Sequence, residues 1–295
     1  MTNSNSLKPT FASKTVVLII LFFFGLCIAS VFSAIIVQAR GLSAVVALIA
    51  TLSQDILAFI APALLCAAVF RQHPGKALCL NRKPPLIGVI AVVLVYFLSL
   101  PAMNYLIDCN QNMSLPQSLS AVEQWMRQYE ELAAKQTQLI LAQKSLAAVL
   151  FTFFVVAVMA GVSEEIFFRG AWQQFIFSSR TNSHAAVWIT AFIFSFIHFQ
   201  FFGFVPRLLL GAWLGYLLVW SRSLWLPITA HVLNNGMVVV ASYLSNLGLL
   251  PDKAIDNFGL PANGSFPWLA LASAAVTAAA IWLLHRSISR RAACA

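Results

Sequence analysis

Three sets of polar residues stand inside long apolar stretches of this sequence, where their side chains could do chemistry together. An ionisable side chain in a membrane-spanning helix costs about 2.5–3.5 kcal/mol on insertion scales, so it persists where it pairs internally or lines a wet cavity. The three sets are therefore the first candidates for a functional site. They are Glu164, Glu165 and Arg169 in the first set, His198 in the second, and His231 with Asn235 in the third.

The first set reads Ser-Glu-Glu-Ile-Phe-Phe-Arg-Gly over residues 163–170. On a helix, Glu165 and Arg169 lie four residues apart on one face and can form an ion pair. Glu164 lies about 100° round the helix and escapes that pairing. This spacing predicts one neutralised carboxylate and one carboxylate free to act as a general base. The alternative is that both acids and the arginine form a packing network.

The other sets differ in how strongly they indicate function. His198 follows a fully apolar stretch, and taken alone it fits a buried core histidine as well as a catalytic one. His231 and Asn235 are four residues apart, so two polar groups share one helix face. Asn234 turns away from that face and is interpreted as a cap for a neighbouring helix. Asp55, in an earlier apolar stretch, is interpreted as a structural polar contact.

The composition requires a bilayer around the chain. Of 295 residues, 60% are hydrophobic and 9% are charged, and the mean hydropathy is +0.84; about a quarter of a typical soluble domain is charged. The net charge of +9 comes from basic residues scattered between apolar stretches, which is a topology signal rather than a nucleic-acid-binding surface. The five cysteines show no metal-ligand spacing and predict no disulfide framework.

The apolar stretches predict an all-α, multi-pass membrane protein with about eight transmembrane helices. A bilayer needs about 20 helical residues per span, and irregular backbone is costly in lipid. The first stretch is too long for a cleaved signal peptide and is predicted to be retained. Residues 119–143, in the one long polar connection, predict a surface helix that is a connector or, alternatively, a lid. The candidate spans are 15–37, 44–70, 86–107, 148–175, 185–202, 206–220, 224–246 and 267–284.

The basic residues predict that both termini are cytoplasmic. With that orientation, eleven basic residues fall on the inside and six on the outside, as the positive-inside rule requires. The predicted location is the plasma membrane. The inside residues are Lys8, Lys14, Arg71, Lys76, Arg82, Lys83, Arg180, Arg222, Arg286, Arg290 and Arg291; the outside residues are Arg40, Arg127, Lys135, Lys144, Arg207 and Lys253.

The three polar sets also carry a family resemblance. Glu-Glu-xxx-Arg, Phe-xxx-His and His-xxx-Asn, in that order on successive helices, resemble the CPBP family of intramembrane proteases. This group comprises the type II CAAX prenyl endopeptidases and their bacterial Abi or bacteriocin-processing relatives. In this chain the motif residues are Glu164, Glu165 and Arg169, then Phe194 and His198, then His231 and Asn235.

The resemblance implies an eight-helix membrane fold around a polar cavity open to the cytosol. It implies that Glu164 and His198 activate a water, that His231 and Asn235 stabilise the oxyanion, and that Arg169 with Glu165 holds the architecture. Peptide hydrolysis needs such a base, a proton donor and oxyanion donors. The expected organisation is helices 1–3 and a polar loop over 1–145, a catalytic core over 146–246, and a loop with the last helix over 247–295.

The expected activity is thus endoproteolysis of a membrane-associated substrate, lipidated or cut near its C-terminus, with membrane lipids as the other partners and without nucleic acid. No cofactor is expected. The first alternative is a zinc protease, because two histidines and a glutamate match a catalytic ligand set, although no His-Glu-x-x-His sequence is present. The second is a non-catalytic scaffold, an immunity protein or a transporter.

Overall fold

All regular structure in the described ranges is helical. The computed structural model describes residues 10–177, 182–262 and 265–293, and over 289–293 it describes the backbone alone. Two short 3₁₀ turns, Gln117–Leu119 and Phe201–Gly203, precede α5 and α8. The helices are α1 Phe11–Arg40, α2 Ala44–Val69, α3 Pro74–Ala77, α4 Leu86–Gln111, α5 Ser120–Leu141, α6 Leu146–Ile176, α7 Ser183–Phe196, α8 Phe204–Ser221, α9 Trp225–Asn246 and α10 Trp268–Ala293.

The all-α, multi-pass membrane class predicted from the sequence is confirmed, but the count of eight crossings is not. Helices occupy all eight predicted positions. Within the described residues, six are long and apolar enough to cross a membrane: α1, α2, α4, α6, α8 with its preceding turn, and α10. Helix α7 has 14 residues. Helix α9 has 22 residues but carries His231, Asn234 and Asn235 in its apolar sequence and is not among the six.

Contacts between connections define one end of the bundle, called here the first end. The segment between α3 and α4 meets the segment between α8 and α9, where the Leu224 N–H donates to the Cys79 carbonyl (3.0 Å). At the same end, Lys14 at the start of α1 donates to the carbonyl of Phe175 near the end of α6 (3.1 Å). Trp220, close to the end of α8, lies against His285 of α10 with ring centroids 4.9 Å apart. The start of α1 and the last part of α10 therefore lie at the same end.

The remaining connections meet at the opposite, second end. The Asn104 amide in α4 donates to the Ile255 carbonyl in the segment before α10 (2.7 Å). The Asn110 side chain accepts from the Val205 N–H at the start of α8 (2.9 Å). The two groups of contacts follow if the helices at the eight predicted span positions run through the bundle in alternating directions. These helices are α1, α2, α4, α6, α7, α8, α9 and α10.

Three wide, π-helical segments interrupt the helices that carry the acidic residues. They are Asp55–Ile60 in α2, and Phe153–Met159 and Ile166–Ile176 in α6. Glu164 and Glu165 lie in the short α-helical stretch between the two segments of α6. Such π turns within α-helices occur frequently at functional sites because they redirect side chains.

Two glycines allow helices to approach closely. A Cβ atom at Gly25 in α1 would lie 1.8 Å from the Leu57 carbonyl oxygen in the π segment of α2. A Cβ atom at Gly161 in α6 would lie 2.9 Å from the Cγ2 atom of Val232 in α9. Small residues permit such backbone contact in membrane bundles. The second contact brings α6 and α9 together beside Glu164, Glu165 and His231.

The surface helix expected over 119–143 is present as α5, at the second end. It is amphipathic, and its apolar side packs on the segment that follows α7. The rings of Trp125 and Phe201 are 5.5 Å apart, and those of Tyr129 and Phe199 are 6.4 Å apart. Helix α5 therefore covers the connection that begins with His198.

The first turn of α5 is fixed by a carboxylate. The Glu123 side chain accepts from the Leu115 N–H (2.9 Å) and from the Arg127 guanidinium (2.7 Å). These hydrogen bonds, the one from Leu115 first, hold the pKa of Glu123 below its ordinary value. The carboxylate is thereby kept ionised and ties the preceding loop to the helix.

Candidate active site

The centre of the site is a buried ion pair that also holds a histidine. Glu165 Oε1 accepts from Arg169 Nη1 (2.7 Å) and from His231 Nδ1 (2.8 Å). Glu165 and Arg169 are 0% exposed and His231 is 3% exposed. The pairing expected from the four-residue spacing is present. A buried charge needs such partners because desolvation otherwise costs several kcal/mol.

Arg169 extends this network to two further helices. Its Nη2 donates to the Gly211 carbonyl of α8 (3.0 Å), and its guanidinium carbon lies 4.5 Å from the centre of the Phe194 ring in α7. The arginine thus connects α6, which carries it, with α7 and α8. This is the architectural position that the family resemblance implies for Arg169.

Glu164 has a different environment from its neighbour. Its side chain is 16% exposed, and its Oε2 lies 3.8 Å from His231 Nε2, which is beyond hydrogen-bond distance. That oxygen has no hydrogen-bond partner among the described residues. Asp55, His198 and Arg207 are close enough to interact with Glu164 electrostatically. Glu165 thus accepts two hydrogen bonds at Oε1, although its Oε2 lacks a partner as well, whereas Glu164 accepts none from the described residues.

His231 stands between the two glutamates. Because Glu165 is paired with Arg169, its carboxylate acts as an acceptor and His231 Nδ1 is the donor in their hydrogen bond. The other ring nitrogen, Nε2, is the atom that faces Glu164. His231 can therefore exchange a proton on the Glu164 side while Glu165 fixes its ring.

His198 lies just beyond α7 rather than inside a span. The predicted span 185–202 is wrong at this boundary, because α7 ends at Phe196 and Phe199 has a φ of +52°, which a continuing helix does not allow. His198 Nδ1 lies 2.6 Å from the Phe194 carbonyl. A carbonyl only accepts, so Nδ1 carries the proton and Nε2 of the neutral ring is left as an acceptor.

The two histidines approach each other across one aromatic ring. The Phe194 ring centroid is 5.0 Å from that of His198 and 6.0 Å from that of His231. Glu164 and His231 are in direct proximity, and both histidine rings lie against Phe194. The Phe-xxx-His spacing matters because Phe194 supplies the carbonyl that His198 bonds and a ring that both histidines contact.

Asn235 lies one turn beyond His231 on α9. Its Nδ2 donates to the Val156 carbonyl of α6 (3.1 Å), and its Oδ1 accepts from Asn234 (3.2 Å). A primary amide has two N–H donors, so one N–H of Asn235 is not used by these bonds. Asn234, expected to cap a neighbouring helix, instead orients the Asn235 amide.

Asp55 lies beside the candidate site. From the sequence it was interpreted only as a structural polar contact. Its Oδ1 accepts from the Ser163 hydroxyl (2.9 Å), directly before Glu164 in the chain, and the residue is 4% exposed. Its Oδ2 has no hydrogen-bond partner in the described part of the chain. The feature of the sequence that could have indicated this position is an acidic residue within the second apolar stretch.

The placement of these side chains also bears on metal binding. Within the described ranges, no group of three His, Cys, Asp or Glu side chains is arranged to hold a metal ion. The Nδ1 atoms of His198 and His231 are engaged by a carbonyl and by Glu165, which leaves both Nε2 atoms outside these bonds; histidines that bind zinc commonly have such Nδ1 partners. The expectation of no cofactor stays a prediction.

A cavity of about 470 Å³ lies beside the site, between α4, α8, α9 and α10. Asn234 reaches its wall, but most of the lining is apolar and aromatic, in contrast to the polar cavity that the resemblance implies. The aromatic lining residues are Tyr96, Trp188, Trp213, Tyr216 and Trp220.

Comparison with known proteins gives one match. Residues 146–237 match the family model described as type II CAAX prenyl endopeptidase Rce1-like. All six motif residues that carry chemistry, from Glu164 to Asn235, fall within the matched range. No curated protein and no solved structure matches the chain significantly. Residues 146–237 are thus similar to the Rce1-like type II CAAX prenyl endopeptidases, which confirms the resemblance inferred from the three motifs.

Proposed function

We propose that this chain is an intramembrane endopeptidase that hydrolyses a peptide bond of a membrane-associated substrate with a water activated by Glu164 and His198. The family match supports a CAAX-type membrane endopeptidase. The observation that carries the mechanism is the contrast between the two adjacent glutamates. Glu165 is buried and accepts hydrogen bonds from two donors, whereas Glu164 is partly exposed and accepts none from the described residues.

The proposed reaction follows from the free atoms of the site. His198 Nε2 orients a water, and Glu164 Oε2 accepts a proton from it as the water oxygen bonds to the substrate carbonyl carbon. This proton then passes from Glu164 to His198 Nε2 and from there to the amide nitrogen, so that the Glu164 carboxylate and the neutral His198 are restored. The C–N bond then breaks, and the products are a carboxylic acid and an amine. Each positioned acid or base of this kind contributes about 10²–10⁴-fold in rate.

Two donors are available for the oxyanion. His231 Nε2, when protonated, points toward Glu164, and Asn235 has one N–H outside its bond to Val156. Loss of a single oxyanion donor costs about 10²–10³-fold in rate. The roles of His231 and Asn235 are thus compatible with their hydrogen bonds.

The proposed location is the plasma membrane, with the first end of the bundle in the cytoplasm. The start of α1 and the last part of α10 lie together at that end, and the surplus of basic residues is on the same side. Residues 146–246 are proposed as the catalytic core, flanked by 1–145 and 247–295. Asp55 and α5 show that the N-terminal part contributes side chains around it.

The experiment compares proteomes and then tests the chemistry. Membranes containing the wild-type chain or Glu164→Gln are compared for cleaved proteins, and a peptide from a cleaved protein is tethered to liposomes with the purified enzyme. We expect wild-type cleavage to survive exhaustive chelation and Glu164→Gln to give none.

Two results would contradict this proposal. Activity that vanishes with chelator and returns with zinc would favour the zinc protease, with Glu164, His198 and His231 as ligands. An identical set of membrane proteins with wild type and Glu164→Gln would favour a non-catalytic scaffold, immunity protein or transporter.

A further inference from the structure

A second arginine near the site, Arg207 in α8, has no carboxylate partner. Its Nη2 donates to Gln200 Oε1 (2.7 Å), and its Nη1 donates to the Gln200 carbonyl (3.3 Å). Both acceptors are neutral. Among the described residues, which include every acidic side chain, none forms an ion pair with Arg207.

This arrangement is unusual for a chain with so few charges. Arg207 is half-buried, and a guanidinium partly removed from water without a bonded carboxylate is unfavourable. Glu130 and Glu164 act on it only electrostatically, whereas the other arginine of the site, Arg169, is paired with Glu165 at 2.7 Å. The contrast leaves Arg207 able to bond an anionic group of another molecule.

The Arg207 guanidinium is held by the connection that also carries His198. Gln200, which holds it, is two residues after His198 in the connection between α7 and α8. A Cβ atom at Gly203 would lie 3.3 Å from Arg207 Nη2, so the absence of a side chain there leaves room for the guanidinium. His198 and Glu164 are both within electrostatic range of Arg207.

Helix α5 packs on the connection that holds Arg207. Its residues Trp125 and Tyr129 lie against Phe201 and Phe199 of that connection. Glu130 of α5 also interacts with Arg207 electrostatically, and its Oε2 is buried with no hydrogen-bond partner in the described part of the chain. A carboxylate thus stands near the guanidinium without bonding it.

We propose that Arg207 binds the C-terminal carboxylate of the peptide substrate, on the leaving-amine side of the scissile bond. This inference rests on the proposed function. A guanidinium presents a planar fork of donors that matches a carboxylate. A substrate whose C-terminus reached Arg207 would bring the carboxylate that bonds it, whereas a chain that continued past Arg207 would bring none from its backbone. Arg207 therefore selects bonds close to the end of a substrate.

The test uses two forms of one membrane-tethered peptide that contains the site cleaved by the wild-type enzyme. One form ends in a free carboxylate, and the other ends in an amide. We expect wild type to cleave the carboxylate form with kcat/KM at least about tenfold higher, because a hydrogen bond to a charged group contributes about 1.5–3 kcal/mol. In Arg207→Gln this ratio should fall to about one, through loss on the carboxylate form.

Arg127→Gln is the matched control. Arg127 lies on α5 with its guanidinium 4.3 Å from the Phe202 ring, but its side chain is 50% exposed and already paired with Glu123. This variant should keep the wild-type ratio. Arg207→Lys keeps the positive charge but loses the planar pair of donors. Its ratio of kcat/KM values on the two peptide forms should therefore lie between those of wild type and Arg207→Gln.

The outcomes separate this inference from the proposed function. If wild type cleaves neither form in the chelator assay, the endopeptidase proposal fails. Equal cleavage of both forms by wild type, or an unchanged ratio in Arg207→Gln, contradicts only the role of Arg207. If Arg207→Gln does not fold, a wild-type ratio in Arg207→Lys contradicts it instead.

Discussion

At the scale of residues, the central feature is that two adjacent glutamates have different partners. Glu165 accepts from Arg169 and His231 and is 0% exposed. Glu164 has an oxygen without a hydrogen bond, 3.8 Å from His231 Nε2. A single residue step along α6 therefore separates a structural carboxylate from one that can accept a proton.

The first prediction concerns this difference. Glu164→Gln should abolish cleavage while changing the free energy of unfolding by no more than about 0.5 kcal/mol, because it breaks no hydrogen bond of the resting site. Glu165→Gln should lower the free energy of unfolding by about 3–5 kcal/mol, because it leaves Arg169 buried without a counter-ion. Unfolding of each purified variant in detergent and cleavage of the tethered peptide are measured together.

Glu131→Gln is the control for the charge change. Glu131 also pairs with a residue four positions on, Lys135, but both side chains are about two-thirds exposed, and an exposed pair contributes little. Stability and cleavage should both be unchanged. Equal loss of stability in Glu164→Gln and Glu165→Gln, with activity retained, would contradict the division of roles.

At the scale of elements, close backbone contacts position the π segments. Helix α1 contacts the π segment of α2 through Gly25 and Leu57, and that segment begins with Asp55, which accepts from Ser163. The connection from α1 to the Glu164 region thus passes through one backbone contact and one side-chain hydrogen bond. Neither helix need contain a catalytic residue to affect the site.

The second prediction tests this contact. Alanine favours a helix over glycine by about 1 kcal/mol, so an unconstrained Gly25→Ala change would stabilise α1. Because its Cβ atom would lie 1.8 Å from the Leu57 oxygen, we expect the opposite, a loss of about 1–3 kcal/mol as for other overpacked positions. The measurement is the free energy of unfolding in detergent.

Gly75→Ala provides the comparison within the same chain. Gly75 lies in α3, and the nearest atoms to its Cβ position belong to the His73 ring at 3.3 Å, which can move. Its free energy of unfolding should equal that of wild type or exceed it by up to about 1 kcal/mol. A Gly25→Ala protein as stable as Gly75→Ala would show that α1 and α2 are not in backbone contact.

At the scale of the whole molecule, the connections form two separate groups. Lys14, Cys79 and His285 belong to contacts at the first end, and Asn104 and Asn110 belong to contacts at the second. The sequence assigns the excess of basic residues to the segments of the first end, although Lys8 and Arg180 among them lie outside the described residues. The structure shows which connections lie together, and the bias of basic residues indicates which of the two ends is cytoplasmic.

The third prediction concerns this orientation. In a variant that retains Cys109 as the single cysteine, a membrane-impermeant maleimide should label intact cells, because Cys109 is exposed near the second end. In a cysteine-free chain carrying Gln72→Cys, exposed at the first end, labelling should require permeabilised cells. Labelling is measured as the mass shift of the purified protein.

The reverse pattern would invert the proposed topology. Labelling of both positions in intact cells would contradict the separation of the two ends. Permeabilised cells in which both cysteines react serve as the control for thiol accessibility.

Several features of this protein were determined by the sequence itself. The apolar composition required lipid around the chain, and the need to satisfy every backbone hydrogen bond in lipid restricted the spans to helices. The four-residue spacing of Glu165 and Arg169 predicted their ion pair, because that interaction lies within one helix. The motifs from Glu164 to Asn235 indicated the family because residue types and order are properties of the chain alone.

Other features depend on contacts between distant segments, and only the tertiary structure decided them. The end of α7 at Phe196, the bond between Asp55 and Ser163, and the packing of α5 beside His198 each depend on neighbours far away in the sequence. In the sequence, Arg207 is one of the basic residues that indicate topology. Only the tertiary structure shows that no carboxylate of the described residues forms an ion pair with it. Local spacing fixes which side chains share a helix face, and the packing of the helices fixes which faces meet.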